Sequence, residues 1–243
     1  RKIGERQMRI ATTSIVIAAA CLLAAGCGES SVQTAEHTPT TPMITSFAPA
    51  PLTQKLLPRP LLAPEQINEA MAARDMVVTA TSSQMSADST TMEPRECLAV
   101  DGAAQALVYA DSGFTDVHEV TLREGDNFTH YAHQTVVLYA NADQAKAFYD
   151  SSAQQWPACK HYTHTQSGSM WDVGPISDED GVLSTVTTQS NAQAGGWACG
   201  RALPANNYVV VDVDTCSANP ADSAVKIAKQ LSERVDSAPS LRP

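Results

Sequence analysis

Two closely spaced histidine pairs are the first residues of this chain whose types and spacing could do chemistry. His130 with His133, and His161 with His164, form two HxxH patterns. On a helix, positions i and i+3 share a face and could bind a metal, but both pairs lie in strand-like sequence, where this offset places side chains on opposite faces. We therefore predict no metal site and expect exposed histidines near strand ends.

Catalysis would need a different set of residues. The sequence contains no GxSxG motif for a serine nucleophile and no glycine-rich phosphate cradle. Asp178-Glu179-Asp180 offers adjacent carboxylates for acid–base chemistry, but the following Gly181 is typical of a solvated turn. These acids also lack the spaced oxygen ligands of a calcium loop. The sequence therefore predicts no enzyme and no cofactor.

Cys27 is the strongest chemical signal near the start of the chain. It ends the stretch Ala24-Ala25-Gly26-Cys27, which closes an apolar run of 16 residues that begins after Arg9. This order is typical of a bacterial lipoprotein signal. We predict that residues 1–26 are removed, that Cys27 is lipidated, and that the protein is held on the extracytoplasmic face of the cell membrane, with Met8 as the expected start. The alternatives are an ordinary signal peptide and a membrane span, although a span needs about 20 residues.

The four cysteines beyond the signal and the anchor predict two disulfides, since an even number in an exported protein is typical of a disulfide framework. Four cysteines allow three pairings. Cys199 and Cys216 flank two apolar segments joined by a turn-prone stretch, residues 204–207, and a hairpin would bring both thiols to its open end. Elimination then pairs Cys97 with Cys159. Zinc is the alternative, but no CxxC or tight Cys/His spacing supports it.

The charge balance excludes one class of partner. Without residues 1–26 the chain carries 12 basic and 25 acidic residues, a formal charge of −13. No basic stripe occurs, so nucleic acid is not expected as a partner. The 43% of hydrophobic residues is enough for the core of one medium domain.

Composition along the chain predicts a tethered domain. Residues 27–60 contain six prolines and many Ser and Thr, which is typical of a flexible tether. The folded domain is predicted over residues 61–236 and a disordered tail over residues 237–243. Within the domain, Pro64 opens a helix to about Asp75, Asn141 opens a second helix, and residues 219–222 cap a third.

Strand patterns dominate the middle of the domain. Residues 118–122 and 134–140 are predicted to pair antiparallel, because a turn-rich segment separates them. In the last strand Val209, Val211 and Val213 share one face while Asp212 and Asp214 share the other, which predicts a sheet with one buried side. The fold class is therefore α+β, with a central antiparallel sheet flanked by helices.

Seven blocks in order carry a resemblance to a known family. They are Leu61–Asn68, Val108–Phe114 with Cys97 ahead of it, Gln134–Tyr139, Gln154–Cys159, Trp171–Pro175, Gly196–Cys199 and Asn206–Val213. Together they resemble the extracellular sensor domain of PknH-type mycobacterial receptor kinases, which also occurs alone in lipoproteins. The resemblance implies an α+β fold, the same two disulfides, a solvent-open cleft for an envelope ligand, and no catalytic residues. These 243 residues include no kinase sequence, so a sensed signal would pass through a partner.

The resulting functional hypothesis is a lipid-anchored envelope protein whose sensor-like domain binds an unknown small molecule, lipid or glycan in a cleft beside the sheet. Trp171, Trp197 and Tyr208 are candidate contributors, but aromatic residues on strands are more typical of a core, so the ligand-binding residues stay unassigned. The alternative is a protein-interaction module that docks on an envelope partner such as a receptor kinase. Exposed apolar surface would favour docking, and converging titratable groups would favour an enzyme.

Overall fold

A single antiparallel sheet organises the domain in the computed structural model, which describes Leu57, residues 59–88 and residues 90–237. Its ten strands are β1 Val77–Ser82, β2 Met92–Glu93, β3 Phe114–Arg123, β4 Tyr131–Tyr139, β5 His161–His164, β6 Met170–Val173, β7 Ser177–Glu179, β8 Val182–Gln189, β9 Ala198–Asn206 and β10 Val209–Ser217. The strands lie in the order β1-β3-β4-β10-β9-β8-β6-β5-β2, and β7 pairs with β8. The predicted α+β class is confirmed.

Five α-helices in the described part of the chain cover the sheet. They are α1 Pro64–Met71, α2 Leu98–Asp101, α3 Ala106–Tyr109, α4 Ala142–Gln155 and α5 Ser223–Ser237. The first ends earlier than the expected Asp75, because Ala72 adopts a left-handed conformation with φ 53° and closes the helix. Asn141 caps α4 as predicted, since its side-chain oxygen accepts a hydrogen bond from the backbone N–H of Gln144.

Helices α1 and α5 pack on the first face of the sheet. The inward side of α5 carries the five residues predicted for it, Ala224, Ile227, Ala228, Leu231 and Val235, all buried. Gly200 in β9 allows this close approach, because a Cβ there would lie 3.4 Å from the Cβ of Ala224. Leu57, which precedes the predicted domain boundary at residue 61, is fully buried in the same layer.

Helices α2, α3 and α4 cover the second face, and this corrects one prediction. Every residue of β10 is buried, so the face that carries Asp212 and Asp214 is not open to solvent. The alternation of valine and aspartate side chains along β10 was predicted correctly, but helices cover both faces of the sheet. The charged face of β10 therefore lies inside the molecule, where each charge needs a specific partner.

Both predicted disulfides form. Cys199 and Cys216 face each other across the β9–β10 hairpin, and Cys97, just before α2, is joined to Cys159, just after α4. None of the helices in the described part of the chain is long and apolar enough to cross a membrane. Most of the predicted tether of residues 27–60, including Cys27, and all but the first residue of the predicted tail of residues 237–243 lie outside the described residues.

Candidate functional site

A buried ion pair lies at the centre of the second face. Nη1 of Arg201 donates to Oδ1 of Asp212 at 2.6 Å, and both side chains are 2% exposed. The other carboxylate oxygen of Asp212 accepts from the hydroxyl of Tyr109 and the backbone N–H of Ala104, each at 2.9 Å. Arg201 also donates to the carbonyl of Ala99 at 3.2 Å. We call these five residues the Arg201 network, and its hydrogen bonds hold the 99–109 segment against the sheet.

The electrostatics of the Arg201 network fit a structural role. Burial alone would lower the pKa of Arg201, but the charges of Asp212 and Asp214 raise it above its usual value. Burial and the charge of Asp212 raise the pKa of Tyr109. Tyr109 and Arg201 therefore both keep their protons, and both carboxylate oxygens of Asp212 accept hydrogen bonds within the network.

A second polar group on the same face is incompletely satisfied. Strand register places His133 of β4 beside Asp214 of β10, and Glu119 of β3 lies next to them. Nε2 of His133 is 3.3 Å from Oε2 of Glu119 without hydrogen-bond geometry, so this buried oxygen has no hydrogen-bond partner. We call Glu119, His133 and Asp214 the acid–histidine site. Their exposures of 7%, 6% and 7% show that solvent reaches the site at its margin.

Asp214 lies opposite Arg201 in the strand register, but the hydrogen bonds of Arg201 go to Asp212 and to the carbonyls of Val213 and Ala99. Oδ1 of Asp214 lies 3.8 Å from Sγ of Cys216, but a disulfide sulfur carries no proton to donate. Burial raises the pKa of Asp214 to about 7, and the charge of Arg201 only partly offsets this effect. A strongly raised pKa of this kind occurs in functional sites and in buried structural networks alike.

The geometry of the acid–histidine site does not fit nucleophilic catalysis. The hydroxyl of Thr135 lies 3.4 Å from Nε2 of His133, the same ring nitrogen that faces Glu119. A nucleophile–base–acid triad needs the hydroxyl and the carboxylate on opposite ring nitrogens. Thr135 is also fully buried, so its hydroxyl cannot reach a substrate. These titratable groups converge, but they lack an accessible nucleophile.

The four histidines of the HxxH patterns all contact carboxylates. His161 lies 2.7 Å from Asp172 and is exposed, as expected, but His133 is buried, which corrects the expectation of exposed histidines. The others pair His130 with Glu124 at 2.6 Å and His164 with Asp101 at 2.9 Å. The hydrogen bond to Asp101 raises the pKa of His164 above its usual value. No pair brings both of its histidines to one site.

Metal-ligating geometry is limited to one group within the residues that the structure describes. Cys199, Cys216 and Asp214 have ligand atoms within 4.8 Å of one another. Both sulfurs belong to the disulfide and are not available as thiolate ligands. This group therefore does not form a metal site while the disulfide is intact.

An aromatic wall borders the acid–histidine site. Tyr131, opposite Cys216 on β10, lies 6.3 Å from Phe128, and Phe128 lies 6.1 Å from Trp197. We call Phe128, Tyr131 and Trp197 the aromatic wall, and all three are half-buried. Tyr131 lies two residues before His133 on the same face of β4, and burial, followed by the nearby charge of Asp214, raises its pKa.

The other candidate residues from the sequence analysis pack in the core or make surface contacts. Trp171 is buried and stacks on Tyr162 with ring centroids 5.9 Å apart, so it belongs to the core as anticipated. Tyr208 is half-buried and packs against the cores on both faces. The solvated turn predicted at residues 178–180 is shorter than expected, because Asp178 and Glu179 belong to β7 and the turn is formed by Asp180 and Gly181. Asp178 accepts from the hydroxyl of Tyr149, and Asp180 pairs with Lys229 at 3.1 Å.

Glu119, Arg201, Asp212 and Asp214 were not identified as site residues from the sequence. The signal that could have found them is the apolar stripe of the 142–155 helix, which needs a face to cover. Because α5 covers one face of the sheet, the 142–155 helix must cover the opposite face, which carries Asp212 and Asp214 of β10. Charged residues in a strand that is covered on both sides indicate either an ion pair or a functional group.

The comparisons with known proteins agree on one family. A family model described as the PknH-like extracellular domain matches residues 52–234. The serine/threonine-protein kinases PknH of Mycobacterium bovis and Mycobacterium tuberculosis are each 29% identical over 193 residues, which is 77% of this chain. The match covers 32% and 30% of those proteins, so the chain spans about a third of the relatives it matches.

A solved structure gives the same result. The crystal structure of the extracellular domain of PknH from Mycobacterium tuberculosis superposes with a TM-score of 0.72 at 28% identity, covering 77% of this chain and 98% of that one. The similarity is therefore to the extracellular domain of PknH and not to its kinase domain. With the family model covering most of the chain, this chain belongs to the PknH-like extracellular domain family.

Proposed function

We propose that this chain is a lipid-anchored envelope protein whose domain binds an extracytoplasmic ligand at the acid–histidine site, Glu119, His133 and Asp214. The observation that carries the proposal is Asp214, a carboxylate at 7% exposure that no described residue supplies with a hydrogen-bond donor. A buried charge without a partner costs stability, so such groups are retained where an external partner completes them. The family, whose domain is a sensor-type extracellular module in PknH, supports this role.

A groove along α4, away from the acid–histidine site, is a concavity of the described domain. One cavity of about 330 Å³ lies between α3 and α4, and another of about 400 Å³ lies beside α2; both are lined by Val108 and Gln155. The groove contains few ionisable groups and its apolar floor includes Leu98 and Phe148. It lacks a buried charged group in need of a partner, so the acid–histidine site supports ligand recognition better.

The test of ligand binding is native mass spectrometry of the protein purified from its own envelope in mild detergent. The parent protein is expected to carry an additional small mass that Asp214→Asn removes. Asp172→Asn is the matched control, because Asp172 is exposed and pairs with His161 away from the site. An adduct retained equally by both variants, or no adduct in the parent, would contradict ligand binding at this site.

A docking role is the second candidate function, and strand β1 favours it. β1 is the outermost strand of the sheet, and Val77 and Val78 are 52% and 46% exposed. An uncharged edge strand can pair with an extended segment of a partner protein. A protein that copurifies with the parent but not with Val78→Lys would support docking in place of small-molecule binding.

Membrane anchoring through Cys27 is tested separately by fractionation. Cys27→Ser is expected to release the protein from the membrane fraction, because the acylated thiol is lost. Cys21→Ser, inside the predicted signal, is the control that should leave the protein in the membrane. Retention of Cys27→Ser in the membrane fraction would show that another segment holds the protein there.

A further inference from the structure

The charge balance around the acid–histidine site is negative. Besides Glu119 and Asp214, the carboxylate of Asp101 raises the pKa of Asp214, and that of Asp88 contributes to the raised pKa of Tyr131. Two cations lie nearby. Arg201 is opposite Asp214 in the strand register but is hydrogen-bonded to Asp212 at 2.6 Å, and Arg123 is opposite Tyr131 with its guanidinium over Phe128. The carboxylates of this region outnumber these two cations, so a further positive charge from outside the chain would be stabilised here.

The hydrogen-bond inventory of the site points the same way. Oε2 of Glu119 is buried and has no hydrogen-bond partner, although the residue is only 7% exposed. Asp214 has only the disulfide sulfur of Cys216 beside its Oδ1. What both carboxylates lack is a hydrogen-bond donor, and a positively charged donor forms the strongest such bond.

The aromatic wall supplies a surface suited to a cation. The rings of Phe128 and Trp197 meet edge to face, and Tyr131 extends the wall toward the acids. Arg123 already makes a cation–π contact with this wall, because its guanidinium lies 5.2 Å from the ring centroid of Phe128. Aromatic faces combined with carboxylates are the usual means of binding an ammonium group.

We propose that the acid–histidine site and the aromatic wall together bind the ammonium group of an envelope molecule. This inference rests on the proposed ligand-binding function and specifies its chemistry. The ammonium group donates to Glu119 and Asp214 while its alkyl carbons lie against Tyr131. Neutral polyols would leave the carboxylate charges uncompensated, so they are excluded as the preferred ligand class.

The test uses ethanolamine and choline as cationic probes and glycerol as the neutral control, titrated into the full-length protein in detergent while tryptophan fluorescence is recorded. Trp197 in the wall provides a signal. Saturable binding of ethanolamine, weakened by added salt, is expected, with no response to glycerol. Choline, whose quaternary nitrogen has no N–H to donate, should bind more weakly than ethanolamine. Asp214→Asn should weaken binding by about tenfold or more, because it removes a charge-assisted hydrogen bond. Asp172→Asn should bind as the parent does.

Several outcomes would overturn the inference. One is saturable binding of glycerol with no response to either cation, and another is no saturable response to any probe. A neutral copurifying molecule lost in Asp214→Asn would leave the proposed function standing while refuting the ammonium chemistry. Thermal unfolding at neutral pH gives an independent measure: Asp214→Asn should melt at or above the parent temperature. A fall of more than about 5 °C would show that the protein itself satisfies Asp214.

Discussion

Asp212 and Asp214, two residues apart on one strand, differ in their hydrogen-bond partners. Asp212 accepts hydrogen bonds from Arg201, Tyr109 and the N–H of Ala104, so its charge is fully compensated. Asp214 receives none, and burial raises its pKa to about 7. Burial alone therefore does not identify a functional acid. The distinction lies in whether the fold supplies hydrogen-bond donors.

Arg201→Met tests the structural role at this scale. Removing the guanidinium leaves Asp212 buried and uncompensated, so the free energy of unfolding should fall by roughly 3–5 kcal/mol. Lys229→Met is the matched control: the pair of Lys229 with Asp180 is exposed, and its loss should cost less than about 1 kcal/mol. Denaturant unfolding measures both variants. A loss from Arg201→Met as small as that of the control would show that the network is dispensable.

The sequence predicted individual residues well where a local pattern determines them. The cap at Asn141 and the apolar stripe of α5 follow from spacing within a single helix, and the structure confirms both. The burial of this charged face could not be predicted in this way, because residues 99–109 cover it and they lie about 100 residues before β10 in the chain. The acid–histidine site was therefore invisible to local patterns.

At the scale of elements, the two disulfides fasten different kinds of contact. Cys199–Cys216 joins neighbouring strands of one hairpin, across 17 residues. Cys97–Cys159 joins the segment before α2 to the segment after α4, across 62 residues. The hairpin pairing was derived from the turn-prone residues 204–207, and the second pairing by elimination. Both are confirmed because a hairpin fixes which strand positions face each other.

Loop length predicts which disulfide matters more. By chain entropy, Cys97→Ala with Cys159→Ala should lower the free energy of unfolding by about 4 kcal/mol, and Cys199→Ala with Cys216→Ala by about 3 kcal/mol. The first pair also connects elements that share no backbone hydrogen-bond ladder, which adds to the difference. Urea unfolding of the two double variants provides the comparison. A larger loss from the hairpin pair would show that native contacts, and not loop closure, dominate.

For the whole molecule, coverage of both sheet faces explains where prediction failed. The antiparallel sheet, its helices and the family were predicted from the sequence and confirmed. The expectation of one open face was wrong, because α2, α3 and α4 cover the side that carries Asp212 and Asp214. Placing charged groups inside a covered sheet couples the stability of the entire domain to their protonation.

That coupling predicts the pH dependence of the domain's stability. Asp214 loses its proton near pH 4 when unfolded but only near pH 7 when folded, so the unfolded chain binds fewer protons across this interval and stability falls as pH rises through it. His164, whose pKa is raised in the folded state chiefly by its hydrogen bond to Asp101, contributes stability that is also lost as pH rises. The charges facing Asp214 are Arg201, Asp101, His133 and Asp212.

The free energy of unfolding should therefore decrease between about pH 4 and pH 7, by an amount on the order of 2–4 kcal/mol. Asp214→Asn should flatten most of this slope, because the amide does not titrate, whereas Asp172→Asn should retain it. Urea unfolding at half-unit pH steps measures the slope for each variant. A parent protein whose stability stays level or rises across this range would show that Asp214 is already ionised well below neutrality, and that the fold supplies it with a compensating charge.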